Sequence, residues 1–118
     1  MARKDELGRR GEQVAAEWLT ERGYRVVDRN WRCATGELDL VLRFGTSLVF
    51  AEVKTRSSLD FGHPFEAITA AKGARLRRLA VEWCREHSPG SGDIRIDAVA
   101  VTDAWSEEPR VEHLAGVV

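Results

Sequence analysis

Three residues near the middle of the chain have the types and spacing for metal-dependent chemistry on a phosphate ester. They are Asp39 in Gly36-Glu37-Leu38-Asp39-Leu40, and Glu52 and Lys54 in Val49-Phe50-Ala51-Glu52-Val53-Lys54. Cleaving a phosphodiester in this way needs hard oxygen ligands for Mg²⁺ or Mn²⁺, usually one or two carboxylates completed by water and by the phosphate itself. It also needs a cation to offset charge developing at phosphorus, and a group that orients or deprotonates the attacking water. Asp39 and Glu52 are the candidate ligands, with the carbonyl of Val53 as a further donor. Lys54 is the candidate cation and water-positioning group.

A hairpin must bring these residues together. If Gly45-Thr46 is a two-residue loop, pairing runs from Phe44–Ser47 through Arg43–Leu48, Leu42–Val49, Val41–Phe50 and Leu40–Ala51 to Asp39–Glu52. Glycine at the first loop position suits a type II′ turn. In that register Asp39 faces Glu52, with Cβ atoms roughly 4.5–5.5 Å apart, and Lys54 lies on the same face opposite Glu37. Two carboxylates so opposed repel each other, and a divalent cation removes that cost. Leu38, Leu40, Leu42, Val49, Ala51 and Val53 fall on the other face, all apolar, so a slip of one residue would bury the charges and expose the leucines. A three-residue loop would stagger the acids. The competing reading is a surface ion cluster in which Lys54 pairs with Glu37 and diagonally with Asp39 or Glu52.

The remaining elements follow from periodicity. A helix is predicted from about Lys4 to Arg22, with Leu7, Gly11, Val14, Ala15, Trp18 and Leu19 on one stripe and Gly23 as its stop. Glu12 sits at the edge of that stripe. A strand is predicted over Tyr24 to Trp31, then the hairpin over Glu37–Phe44 and Leu48–Thr55. A loop runs from Arg56 to Pro64 and contains Ser57-Ser58 and Gly62-His63-Pro64; His63 reads as a turn residue. A second helix is predicted from about Pro64 to His87, ended by Ser88-Pro89-Gly90-Ser91-Gly92. Ile94 to Val101 alternates as a fourth strand, with Asp97 expected on its solvent face, and Arg110–Val118 is a short fifth. The order is α-β-β-β-α-β-(β), an α/β layer.

The 118 residues fit one domain, 1–118. At 43% hydrophobic and 31% charged, the composition is that of a soluble globular protein. A formal net charge of −1 excludes wholesale attraction to polyanions, so nucleic-acid binding must rest on local basic patches. These are Arg3, Lys4, Arg9 and Arg10 near the start, Arg56 after the acidic strand, and Lys72, Arg75, Arg77 and Arg78 on the second helix. Trp31 and Trp105 are candidates to stack on bases, whereas Trp18 and Trp83 fit core stripes. Cys33 and Cys84 have no metal-ligand spacing and read as reduced thiols. No apolar run nears the ~20 residues needed to span a bilayer, and no secretory signal is evident. The expectation is a cytoplasmic chain with no membrane partner.

The segments Gly8-Arg9-Arg10-Gly11-Glu12, Gly23-Tyr24, Asn30-Trp31-Arg32, Gly36-Glu37-Leu38-Asp39-Leu40, Val49 to Arg56, Ala67-Ile68-Thr69…Lys72 and Arg95-Ile96-Asp97-Ala98-Val99 resemble the YraN-like family of small bacterial proteins, also catalogued as UPF0102. That family is similar to archaeal Holliday-junction resolvases and the wider restriction-endonuclease-like group, whose signature is an acid followed by (Asp/Glu)-x-Lys. The resemblance implies a restriction-endonuclease-like α-β-β-β-α-β core, with a mixed central sheet flanked by helices. It matches Asp39, Glu52 and Lys54 to the catalytic acid, second acid and lysine, and Glu12 to an additional metal-binding acid on the first helix. Leu38 stands where the group often has proline. The implied activity is Mg²⁺- or Mn²⁺-dependent endonucleolytic cleavage of DNA, branched or damaged, in repair or recombination, by a homodimer. Arg9, Arg10, Arg56, Lys72, Arg75 and Arg78 are the expected nucleic-acid contacts. The rival expectations are a non-catalytic nucleic-acid-binding module and an accessory subunit with a vestigial site.

Overall fold

The computed structural model describes residues 2–57, 64–90 and 92–117. His63 and most of the loop before it lie outside the described residues. Helix α1 (Ala2–Glu21) leads into strands β1 (Arg25–Cys33), β2 (Gly36–Phe44) and β3 (Ser47–Arg56). A 3₁₀ turn (Pro64–Ala67), helix α2 (Ala70–His87), β4 (Ile94–Thr102) and β5 (Arg110–Leu114) follow. The five strands form one sheet in the order β1-β2-β3-β4-β5. β3 and β4 are parallel and the other three neighbouring pairs antiparallel. This is the mixed sheet of an α/β fold, consistent with a restriction-endonuclease-like core. The parallel pair requires a crossover, and α2 lies on that connection.

The helices cover opposite faces. Val14, Ala15, Ala16 and Leu19 of α1 pack with Leu40, Leu42, Val49, Ala51, Val53, Val99 and Val101. Leu76, Leu79, Ala80 and Trp83 of α2 pack with Val41, Leu48, Phe50 and Ile96. Both faces of the central strands are therefore buried, which explains the nearly continuous apolar runs of β2, β3 and β4.

The hairpin forms in the expected register, from Phe44↔Ser47 to Leu40↔Ala51. Gly45 has φ 59°, and Thr46 is not among the positive-φ residues, as a type II′ turn requires. Three expectations need correction. Leu38 packs on the α2 side with Val41 and Trp31, not with Leu40, because β2 changes orientation at Asp39. The second helix begins at Ala70 rather than near Pro64: Thr69 is extended and its side chain accepts from the Lys72 amide at 3.1 Å, an N-cap that sets the first turn.

The third correction is Asp97, which is 0% exposed rather than on a solvent face. It takes two bonds from Arg95 (2.8 and 2.7 Å), one from the Gly116 amide (3.0 Å) and a contact from His113 Nε2 (2.7 Å). Burial pushes its pKa up, but the Arg95, Gly116 and His113 bonds outweigh burial and hold it below the usual carboxylate range. Arg95 also donates to Tyr24 Oη at 2.7 Å. The cluster ties β4 and the segment after β5 to the start of β1, a structural role.

Candidate active site

The backbone ladder between β2 and β3 stops at Leu40↔Ala51. Beyond it β2 stays paired to β1, through Leu38↔Trp31 and Glu37↔Arg32, while β3 continues along β4 to Arg56↔Thr102. The two strands thus diverge, and Asp39 and Glu52 stand where the fork opens. They do not form the backbone rung expected from the sequence. Instead, Asp39 Oδ2 accepts from the Val53 amide at 2.8 Å. The carboxylate takes the place of a β2 carbonyl and satisfies an N–H that the fork would orphan.

Glu52 is the focus of charge. Its side chain is only 11% exposed, and Oε2 accepts from Lys54 Nζ at 3.4 Å and from Lys72 Nζ at 3.1 Å. Lys54 comes from the same strand two residues on. Lys72 comes from the first turn of α2, where its amide is fixed by the Thr69 cap. Glu37 pairs with Arg32 at 3.1 Å rather than with Lys54, whereas the Lys54–Glu52 pair of the ion-cluster reading is formed.

The acids influence one another strongly. Burial, then the neighbouring Glu52 charge, push Asp39 up to about 8, although the Val53 amide opposes this. Glu52 moves the other way: burial raises it, but the Asp39 carboxyl that bonds to it and the two lysines together hold it below the usual range. Asp39 therefore keeps its proton to a higher pH than Glu52 does. Lys54 is depressed by burial and by Lys72. Lys72 is raised, since its bonds to Lys54 and Glu52 outweigh burial. Lys72 is the fixed cation and Lys54 the amine nearer to losing its proton.

Glu12 approaches from α1, half-buried, with Oε1 accepting from Asn30 Nδ2 at 2.8 Å. Burial raises its pKa, and the Glu37 and Glu52 charges add to this while Asn30 opposes it. Asn30 has φ 50°, a conformation asparagine tolerates better than most residues. This Asn30 support was not foreseen, although an asparagine inside a strand segment is the signal that could have found it.

A donor set of two carboxylates holding one proton between them suits a hard divalent cation, which replaces that proton. Among the described residues, no three His, Cys, Asp or Glu side chains lie close enough together to hold an ion. Asp39 and Glu52 would be the two carboxylates available to one, and Glu12 does not complete a set of three with them.

A family model described as "Uncharacterised protein family UPF0102" matches residues 11–101. The chain belongs to the UPF0102 (YraN-like) family. A UPF0102 protein of Leifsonia xyli subsp. xyli is 56% identical over 118 residues, covering all of both chains. Relatives from Arthrobacter sp. (strain FB24) and Renibacterium salmoninarum are 59% and 60% identical over 117 residues, each covering 99% of both chains.

In this UPF0102 chain the fork unites Glu12, Asp39, Glu52, Lys54 and Lys72. The sequence reading had set Lys72 among the outer phosphate contacts rather than beside the acids. The other basic residues are dispersed. Arg9 is exposed on α1, whereas Arg10 donates to the Ala104 carbonyl at 2.9 Å and lies over the Trp105 ring. Arg75 and Arg78 are exposed on α2, across the sheet from both. Arg56 is half-buried at the end of β3. Trp31 packs against the α2 core, and Trp105 is 67% exposed. No described helix is long and apolar enough to cross a membrane.

Proposed function

We propose that this protein is a Mg²⁺- or Mn²⁺-dependent endonuclease acting on DNA, branched or damaged, in repair or recombination. The observation that carries the proposal is the placing of Asp39, bound to the Val53 amide, beside Glu52 at the fork of the sheet, with two lysines on one Glu52 oxygen. Asp39 and Glu52 would hold the divalent cation, which would supply Lewis-acid polarisation of the scissile phosphate and a lowered pKa for the attacking water. The Val53 amide fixes the Asp39 carboxylate so that it need not reorganise. Lys54 orients the attacking water and, in the neutral amine form that its depressed pKa favours, accepts its proton. Lys72 stays charged and offsets the negative charge that develops on the phosphoryl oxygens. Glu12, steadied by Asn30, adds negative potential to the cation site.

One observation favours a second reading: no three acidic, His or Cys side chains among the described residues are spaced to hold an ion. A nucleic-acid-binding module, or a subunit whose site a partner completes, would have such an incomplete centre. A cleavage panel separates the readings. Linear, single-stranded, nicked and four-way-junction DNA, and RNA, are incubated in Mg²⁺, Mn²⁺ or EDTA, with Asp39→Ala as the control against contaminating nuclease. Metal-dependent cutting lost in the variant supports the enzyme. Binding that persists in EDTA without cutting in any metal supports the module. Sedimentation of the free and DNA-bound protein tests the homodimer that the likeness to dimeric resolvases suggests.

A further inference from the structure

A groove of about 640 Å³ runs along the outer side of α2, between that helix and the β1–β2 turn at Thr35. Its rim carries Arg75, Arg78 and Arg85. Its walls include Leu79 and Val81, the latter 39% exposed, together with the aliphatic stems of the arginines. The one acid lining it is Glu82, whose Oε2 already accepts from Thr35 Oγ1 at 2.7 Å and Cys33 Sγ at 3.3 Å. Those bonds fasten the turn to the helix and form the far wall. The groove is therefore net positive, apolar inside, and lined by planar guanidinium groups.

These features fit unpaired bases better than a duplex. A duplex shields its bases and presents phosphates to a convex surface. An unpaired strand offers base faces that stack on apolar and guanidinium surfaces while its phosphates meet the arginines. The groove lies along the same helix that brings Lys72 to Glu52. Lys72, on Glu52, is followed along α2 by Arg75, Arg78 and Arg85, a run of about 20 Å at ~1.5 Å per residue. That length spans about six phosphates at the ~3.4 Å rise of a stacked strand.

We infer that the α2 groove seats an unpaired nucleic-acid strand flanking the phosphate held at the Asp39–Glu52 pair, which rests on the function proposed above. The strand leaves the fork past Lys72 and runs toward Arg85, away from α1. Substrates with a single-stranded flank, such as forks, flaps and opened junctions, are held better than fully paired ones.

The test is fluorescence anisotropy of the full chain with labelled oligothymidylates of increasing length and with a blunt duplex, over a salt series, in EDTA and in Mg²⁺. Arg78→Gln and Arg85→Gln are each expected to weaken single-strand binding several-fold and to lower the salt slope by about 0.7. Glu82→Gln keeps an acceptor for Thr35 but removes the negative charge, so it is expected to tighten binding. A fold defect would not produce that change. Arg110→Gln, exposed on β5 at the opposite edge of the sheet, is expected to change nothing. Single-strand binding with unchanged slopes in both arginine variants overturns the groove but leaves the proposed nuclease standing. Preference for the duplex overturns the unpaired occupant. Absence of binding to any oligonucleotide overturns the groove and the nucleic-acid part of the proposed function together.

Discussion

Gly11 governs how closely α1 approaches β3, and hence where Glu12 stands. A Cβ at position 11 would lie 2.6 Å from Thr55 Cγ2 and 2.8 Å from Thr55 Cβ, and would overlap Thr55 Oγ1. Carbon atoms prefer about 3.5–4.0 Å, so Gly11→Ala forces the helix back by roughly an ångström. Rotating Thr55 cannot relieve the contact with its Cβ, which is fixed to the strand. Overpacking of this kind costs ~1–3 kcal/mol, here toward the upper end. Alanine returns about 1 kcal/mol of helix propensity. The net loss is about 2 kcal/mol, a fall in Tm on the order of 8 °C for a chain of this size.

The second arm of the cycle is Thr55→Gly, which removes all three obstructing atoms. In that background Gly11→Ala should be neutral or stabilising, a coupling of about 3 kcal/mol in denaturant titrations. Because Glu12 is the next residue, Gly11→Ala alone should also weaken Mn²⁺ binding, with partial recovery in the double variant. An unchanged Tm in Gly11→Ala, or the same loss in both backgrounds, would refute the Gly11–Thr55 contact as the spacer.

Other predictions concern the charges. The Asp39 pKa is raised, so its neutral carboxyl stabilises the fold at low pH and that contribution is lost as pH rises through about 8. Tm in EDTA should therefore fall between about pH 4 and pH 8 and level off above, flatten in Asp39→Asn, and be sustained near pH 8 by Mn²⁺; a slope retained in Asp39→Asn would count against this. Lys72→Gln removes a cation from Glu52, so calorimetry should show tighter Mn²⁺ binding while DNA binding weakens. Lys54→Gln should lose turnover with DNA binding retained, and equal effects from the two substitutions would contradict the division of roles. Asp97→Asn leaves the Arg95 guanidinium without its buried counter-charge, a loss of about 3–5 kcal/mol. It should lower Tm without changing Mn²⁺ affinity, and a change in affinity at unchanged Tm would contradict its structural role.

The strand pattern was legible because period-two alternation and the Gly45-Thr46 turn act locally. The register of β2 on β3 follows from them almost residue by residue. The ion chemistry was legible in type but not in contact. That Asp39 and Glu52 belong together follows from the hairpin, yet the missing rung depends on β1 holding β2 and β4 holding β3, which are non-local pairings. Lys72 was read as an outer contact because helical periodicity says which face a residue occupies, not what the N-terminus of the helix meets. Asp97 was misread for a similar reason. Alternation placed it opposite Ile96 and so on the solvent side, but in a sheet covered on both faces neither side is solvent, and Arg95 and His113 supply the charge that burial demands.

The fork explains why the acids tolerate burial at all. A continuous β2–β3 ladder would pair the Val53 amide with a carbonyl and leave Asp39 and Glu52 as facing charges with no compensating donor. Divergence exchanges one backbone bond for a carboxylate–amide bond. It also opens room at Glu52 for lysines from two directions. The residual imbalance is the proton on Asp39, because two lysine charges are concentrated on Glu52 and none reaches Asp39 as closely. Under the function proposed above, a divalent cation held by these carboxylates would offset that imbalance, and Lys72 and Lys54 stand ready beside Glu52 for an anion. Sheet topology, rather than any single residue, thus brings the two acids and the two lysines to one point. A variant that restored the β2–β3 ladder past Leu40 should lose metal binding even with Asp39, Glu52 and Lys54 all retained.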